Sequence, residues 1–210
     1  MEDCDAYVEY TKHRKWFNKL WLSEELGYKC GPAGTDIPED GMYVVRPIYN
    51  LGGMGVGATV QKLLKDDYTS VPPGYFWCEY FDGPHYSANY KFVTANNPYW
   101  ESLSCFEGTN YPINLTKFAE WKRVDKGPDL PRVFNELSDV GIINVECIGD
   151  KPIEVHLRES PDPEYDHIIP VWKSDEGKTS HYLMHGYKYI EAFDNSNKQL
   201  DDPRLGFLVK

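Results

Sequence analysis

The sequence predicts an α+β protein whose strands run mostly antiparallel. Three observations carry this. Two pairs of strand-like runs are each joined by a short turn, "YFWCEYF" to "HYSANYKFV" through "DGP" and "IINVECI" to "IEVHLR" through "GDKP", and strands joined that tightly pair antiparallel. Two segments with helical patterning, 14–27 and 129–141, lie apart from those pairs. The 210 residues suffice for one sizeable core or for two lobes sharing a cleft.

In chain order, "RKWFNKLWLSEELG" (14–27) places Trp16, Leu20 and Ser23, with Phe17 and Trp21, along one helical face, and Gly27 stops the helix. "YVVRPI" (43–48) is a β-branched strand that enters a loop at Pro47. "TVQKLLKD" (59–66) fits a short helix or a strand. "YFWCEYF" (75–81) has the composition of a buried strand, and "HYSANYKFV" (85–93) alternates after its turn. "DLPRVFNELSDVG" (129–141) reads as a helix with Asp129 as N-cap and Gly141 beyond its end. The polar tail from about Asp175 has no assignable pattern, and the chain has neither internal repeats nor low-complexity tracts.

Composition narrows the function classes. With 41% hydrophobic and 26% charged residues the chain is globular. A net charge of −11 argues against a non-specific grip on nucleic acid or on an anionic membrane. No apolar run approaches the roughly 20 residues of a membrane span. The opening "MEDCDAYVEY" lacks the basic start and apolar centre of a signal peptide. Five cysteines, odd in number and without a CxxC pair, fit a reducing cytoplasm. The 16 tyrosines are expected to line the core and a cleft.

Two constellations carry chemistry. Within "YVVRPIYNLGGMGVGA", Gly52, Gly53, Gly55 and Gly57 let backbone amides turn toward one point, where they can hold phosphate oxygens. Arg46, just ahead, adds a cation that carboxylates or phosphates accept in a bidentate way. The alternative is a flexible surface loop; the pattern is neither a Walker P-loop nor a Rossmann fingerprint. In the hairpin at 142–158, Asn144 and Glu146 share one strand face, as do Glu154, His156 and Arg158. A three-residue loop (149–151) sets Glu146 opposite Glu154 and Asn144 opposite His156, whereas a two-residue loop sends the glutamates to opposite faces. Opposed carboxylates repel, and a divalent cation such as Mg²⁺ relieves them. The alternative is a charged face that is simply wet. Elsewhere, Lys15 and Lys19 read as snorkelling helix lysines and His85 as a turn-adjacent polar residue. "DPEYDHI" (162–168) reads as a solvated loop or a metal cluster.

Taken in order, these stretches resemble the ATP-grasp superfamily, in the manner of its ATP-dependent carboxylate-amine ligases. "FNKL" is similar to the family's early nucleotide-binding lysine, and "YVVRPIYNLGGMGVG" to its cation-ended strand with a mobile glycine loop over the phosphates. "YFWCEYFDGPHYSANY" resembles its hinge strand, and "NVECIGDKPIEVHLR" its final metal-binding hairpin. The resemblance spans about residues 15 to 165. It implies two α+β lobes, about 15–80 and 81–175, enclosing a nucleotide cleft, with 176–210 as a C-terminal extension. It implies that Lys19, Arg46 and the loop Gly52, Gly53, Met54 and Gly55 hold phosphates. Glu79, Tyr80 and Phe81, with His85 nearby, would contact the rest of ATP, largely through backbone. Glu146 and Glu154, with His156 as a third ligand, would hold Mg²⁺, and Arg158 and Arg46 would face the reacting groups. The implied reaction is ATP-dependent activation of a carboxylate as an acylphosphate for attack by an amine or similar nucleophile.

Three departures stand out. Arg46 replaces the usual lysine, and His156 the usual asparagine. About 14 residues precede the first helix, so the family's separate N-terminal domain is expected to be absent or supplied by a second chain. Expected partners are small-molecule or peptide carboxylate and amine substrates, with neither nucleic acid nor membrane. Two other readings stay open: an inactive nucleotide-binding or interaction protein, and a phosphotransferase acting on a hydroxyl.

Overall fold

Antiparallel pairing organises the chain into two sheets. The computed structural model describes residues 1–52, 54–111, 114–192 and 202–210. The first sheet is four-stranded, with β1 (Cys30–Pro32), β2 (Gly41–Pro47), β3 (Thr59–Leu63) and β4 (Tyr75–Glu79) in the order β1-β4-β2-β3. The second is eight-stranded and holds β5 (His85–Val93), β6 (Tyr99–Asn110), β7 (Phe118–Val124), β8 (Ile142–Ile148), β9 (Lys151–His156), β10 (His167–Trp172), β11 (Lys188–Glu191) and β12 (Arg204–Val209). Its order is β11-β12-β10-β7-β6-β5-β8-β9. The α-helices are short: α1 (Asp3–Glu9), α2 (Lys19–Glu25) and α3 (Thr179–Met184).

Each sheet turns one face to a core and the other to a cleft, because alternate strand residues point to opposite sides. On β2, Tyr43 and Val45 pack with Ile37, Leu63, Val71 and Trp77 in the small-sheet core. The intervening Val44 and Arg46 face a cleft instead. On the large sheet, Ala88, Tyr90, Cys105, Val145 and Val155 bury against Trp16, Phe17, Leu22, Phe134 and Leu137. Full burial of side chains of this kind stabilises by about 1.5–3 kcal/mol each. The alternate residues Ser87, Asn89, Asn144, Glu146, Glu154 and His156 face the cleft.

Several sequence expectations change. The helix expected over 14–27 is two pieces, a 3-10 helix at Thr11–Phe17 and then α2, broken at Asn18. Asn18 is extended there and its side-chain oxygen accepts from Trp21 N at 2.9 Å, so N-capping ends one helix and starts the next. These helices pack on the large sheet, and α2 also touches β1 of the small one. The helix expected over 129–141 is only a 3-10 helix, Arg132–Leu137. Pro131 occupies its cap position, and Asp129 pairs with Lys126 at 2.6 Å instead. Residues 59–63 resolve to a strand. The tail set apart as an extension supplies β11 and β12, which sit beside β10 in the large sheet. No described helix is long and apolar enough to cross a membrane.

Candidate functional site

A cleft of about 570 Å³ lies between the sheets and is lined from both sides, by Val44, Arg46 and Cys78 of the small sheet and by Ser87, Asn89, Glu146 and His156 of the large one. Its apolar-to-polar mix and size suit a small-molecule site.

Arg46 is carried into the cleft near the end of β2 and is only 8% exposed. Its guanidinium carbon lies 5.2 Å from the Phe76 ring centroid, and its Nε has no hydrogen-bond partner. No carboxylate pairs with it among the described residues. A buried cation without a counter-charge is costly, so the position is suited to an incoming anion.

The glycine-rich loop follows. Gly52 N donates to Asn50 Oδ1 at 3.2 Å. Met54, Gly55 and Gly57 adopt φ of 58°, 60° and 82°, the left-handed region that costs an ordinary residue energy. A Cβ on Gly55 would lie 3.2 Å from the Leu115 carbonyl oxygen, in the turn between β6 and β7. The loop therefore spans the cleft and touches the large sheet's side. Gly53 lies outside the described residues.

At the hairpin β8–β9, Glu146 does sit opposite Glu154 and Asn144 opposite His156. The route differs from the three-residue loop that the sequence reading required. The loop is two residues, Gly149 and Asp150, and the register then shifts between Glu146 and Cys147. That β-bulge inserts one residue into β9 and returns both glutamates to one face.

The two carboxylates already have basic partners. Lys19 Nζ, at the start of α2, lies 2.6 Å from Glu154 Oε2 in a pair 7% and 11% exposed. His85 Nε2 is 3.2 Å from Glu146 Oε2. His156 Nε2 is 3.9 Å from an oxygen of each glutamate. On its other side, His156 Nδ1 is 2.7 Å from Asp3 Oδ2. Burial alone would lower the His156 pKa, but the Asp3 charge and hydrogen bond, together with Glu146, raise it to about 10. Burial likewise pushes Asp3 upward, and His156 and Arg158 more than offset it, leaving the carboxyl below its ordinary value. Glu146 is held well below the usual range, burial being outweighed by hydrogen bonds from His156 and His85. Arg158 Nε approaches Asp3 Oδ1 to 2.8 Å, yet off the hydrogen-bond axis, so both atoms lack a hydrogen-bond partner.

The fold has known counterparts. The carboxyaminoimidazole ribonucleotide synthase of Aspergillus clavatus, solved with ATP, superposes with a TM-score of 0.57 at 9% identity over 93% of this chain and 68% of that one. The N5-carboxyaminoimidazole synthetase of Staphylococcus aureus, solved with ADP, gives a TM-score of 0.55 at 10% identity over 92% of this chain and 67% of that one. The chain has the ATP-grasp fold. An ATP-grasp superfamily protein from Archaeoglobus fulgidus also aligns, with a TM-score of 0.39 at 16% identity over 69% of this chain and 46% of that one. No protein-family model matches the sequence, and no curated protein matches it. The chain thus spans about two thirds of the length of the two synthetases and under half of the archaeal protein.

Within the ATP-grasp fold, Lys19, Arg46, Met54, Gly55, Glu79, Tyr80, Phe81, His85, Glu146, Glu154, His156 and Arg158 all line one cleft, as does Gly52. Glu79 ends β4 with its carboxylate accepting from Lys29 N at 2.9 Å, which ties the end of β4 to the chain ahead of β1. Phe81 packs edge-on against Tyr28 at 4.8 Å. His85 is more than a turn residue, since its ring also abuts Phe118 and Trp121. The acidic run 162–168 is neither free nor a metal cluster: Asp162 lies 3.2 Å from Arg204, and Glu164 accepts from Ser104 at 2.6 Å and faces Arg123 at 3.6 Å. Among the described residues, no three acidic, histidine or cysteine side chains converge as a ready metal site.

Sequence reasoning missed Asp3, which is 3% exposed and bridges His156 and Arg158. The legible signal was local: Glu2, Asp3 and Asp5 crowd the start of α1, and Asp5 accepts from Glu2 N at 2.9 Å as helix-start residues do. Nothing local tells that Asp3 meets a residue 153 positions away.

Proposed function

We propose that the chain binds ATP with Mg²⁺ in this cleft and activates a carboxylate for attack by an amine or a similar nucleophile. The observation that carries the reading is Arg46, a buried cation without an anionic partner among the described residues, beside a glycine loop and in the same cleft as two facing glutamates. The triphosphate would neutralise Arg46 and accept hydrogen bonds from the loop amides. The adenine would lie against Phe81 and the backbone at Glu79 and Tyr80. By type, paired carboxylates suit Mg²⁺. Glu146 and Glu154 would hold it, with His156 beside them, and the ion would supply charge neutralisation at the phosphates. Because Lys19 and the histidines now meet that charge, ion binding is expected to loosen those pairs.

In the reaction, a carboxylate oxygen attacks the γ-phosphorus, the bond to the bridging oxygen breaks, and ADP leaves. The amine then attacks the acyl carbon, loses a proton, and inorganic phosphate departs. The chain contributes positioning and charge complementarity, with Arg46 at the phosphates and Arg158 at the acylphosphate.

One observation favours the second reading, a nucleotide-binding protein without turnover. Asp3 already occupies Arg158, the residue assigned to the acylphosphate. Titration calorimetry with MgATP, followed by ADP and phosphate assays against a panel of carboxylates and amines, separates the two. Binding with turnover supports the ligase. Binding without turnover supports the second reading, and phosphorylation of a hydroxyl compound would support a phosphotransferase. No binding at millimolar MgATP sinks all three.

A further inference from the structure

Part of the cleft wall is aromatic, and the nucleotide reading assigns no role to its rings. On β7, Phe118 and Trp121 lie with ring centroids 4.2 Å apart and planes tilted by 31°, forming one broad apolar surface. Gly108 on β6 makes this possible. A Cβ there would stand 2.6 Å from Trp121 Cζ3 and 2.8 Å from Phe118 Cδ1, so only glycine lets both rings lie down on the sheet. Both rings are half-buried and line the cleft, unlike Trp16 and Tyr90, which are fully buried on the opposite face. The roof comes from the glycine loop, whose Met54 and Val56 also line the cleft and whose Gly55 abuts Leu115.

Position separates this surface from the acidic hairpin, while the glycine loop assigned to the phosphates forms its roof. β7 lies two strands from β5 and four from β9, or about 10 Å and about 19 Å at the usual spacing of ~4.8 Å. It is nevertheless continuous with the reacting end. His85 sets its ring edge-on to Phe118 at 4.9 Å and to Trp121 at 5.7 Å, while its Nε2 lies 3.2 Å from Glu146.

We propose that the Phe118–Trp121 surface is the subsite for an aromatic ring carried by the second substrate, whose reactive group reaches past His85 toward the glutamates. A ring-lined wall under an apolar roof favours a planar aromatic group over a branched chain, because stacked and edge-to-face ring pairs add stabilisation beyond the area they bury. The inference rests on the ligase reading for its chemistry, but not for the binding event. The ring belongs to the carboxylate or to the amine, and the test distinguishes them.

The full chain is titrated, with and without MgATP, with 3-phenylpropionate, phenethylamine and hexanoate, and binding is followed by calorimetry and saturation-transfer NMR. One of the aromatic compounds is expected to bind about ten-fold more tightly than hexanoate, in line with a ring–ring gain near 1.4 kcal/mol. Trp121→Leu and, independently, Phe118→Leu should remove that preference while MgATP affinity stays unchanged. Gly108→Ala, which displaces both rings, should do the same. Equal affinity for hexanoate and the aromatic compounds overturns the proposal, as does a preference that survives in whichever of these variants folds. Loss of MgATP binding in the unaltered protein with the ring preference intact sinks the ligase reading and leaves the subsite standing.

Discussion

Arg46 and Arg158 are both poorly exposed arginines in one cleft, and their surroundings are opposite. Arg158, beyond the end of β9, faces the Asp3 carboxylate at 2.8 Å, within a chain of charges running through His156 to Glu146, Glu154 and Lys19. Arg46, near the end of β2, lies over the face of Phe76 and has no carboxylate partner among the described residues. The large-sheet side is internally neutralised, and the small-sheet side is left with a charge to be met from outside. Removing a partner should therefore damage the first region, whereas neutralising the arginine should leave the second stable and cost it a ligand.

The largest expected effect is at Asp3. Asp3→Ala strands two buried cations, and breaking a buried ion pair from one side costs about 3–5 kcal/mol. Urea unfolding should show a loss of that order with an unchanged m-value. A loss under about 1 kcal/mol would mean that water enters this region and that the contrast with Arg46 is not real.

Glu154→Gln comes next. A hairpin holding two bare, repelling carboxylates predicts that this change is neutral or stabilising. The structure reverses the expectation, because Lys19 sits 2.6 Å from Glu154 and would be left buried with a weaker partner. A loss of about 1–3 kcal/mol is expected. Pairing it with Lys19→Met in a double-mutant cycle should recover part of that loss, and strict additivity would break the assignment of the pair.

Arg46→Met should leave stability within about 1 kcal/mol of wild type, since it removes an unpaired buried charge and keeps contact with Phe76. MgATP affinity should fall roughly ten-fold or more, the worth of a charge-assisted contact. Equal affinity in variant and wild type would show that Arg46 is not a phosphate ligand.

The pH profile sharpens the same comparison. The Asp3 carboxyl is lowered in the folded state, so its contribution is present above its unfolded pKa and is lost as pH falls through the folded value. His156 is raised from 6.5 to about 10, so its contribution is complete below 6.5 and is lost as pH rises between those values. The difference in unfolding free energy between wild type and Asp3→Asn should thus be largest between roughly pH 4 and 6.5 and shrink on both sides. A pH-independent difference would mean that Asp3 acts by packing alone. The smallest effect belongs to Lys12→Ala, at an exposed pair with Asp139 that is 68% and 45% accessible. It should change stability by less than about 0.5 kcal/mol, so a larger change would undo the contrast between buried and surface pairs.

Much of this arrangement was legible because it is local. β5 matches the alternating run at His85–Val93 residue for residue, and β2 and β4 match their apolar runs within a few positions. Period-two alternation encodes which residues share a face, so the joint placement of Glu154 with His156, and of Asn144 with Glu146, followed from spacing alone. The helices were harder. Asn18 and Pro131 acted on backbone geometry within otherwise helical patterns and shortened both. The tail strands β11 and β12 escaped notice because their partners in the sheet, not their own composition, make them strands.

By itself, then, the sequence determined the strand alternation, the glycine loop, the buried-strand cation Arg46 and the acidic hairpin, since each depends on residues a few positions apart. Only the tertiary structure decided that a bulge rather than a longer turn returns Glu146 and Glu154 to one face. It alone decided that Lys19 and Asp3 close the charge network, and that Gly108 lets Phe118 and Trp121 lie flat. The physical reason is one of range. Backbone propensity and side-chain period act over a turn or a strand, whereas which charges neutralise each other and which rings meet depend on contacts between segments far apart in the chain, and burial then sets how much each contact is worth.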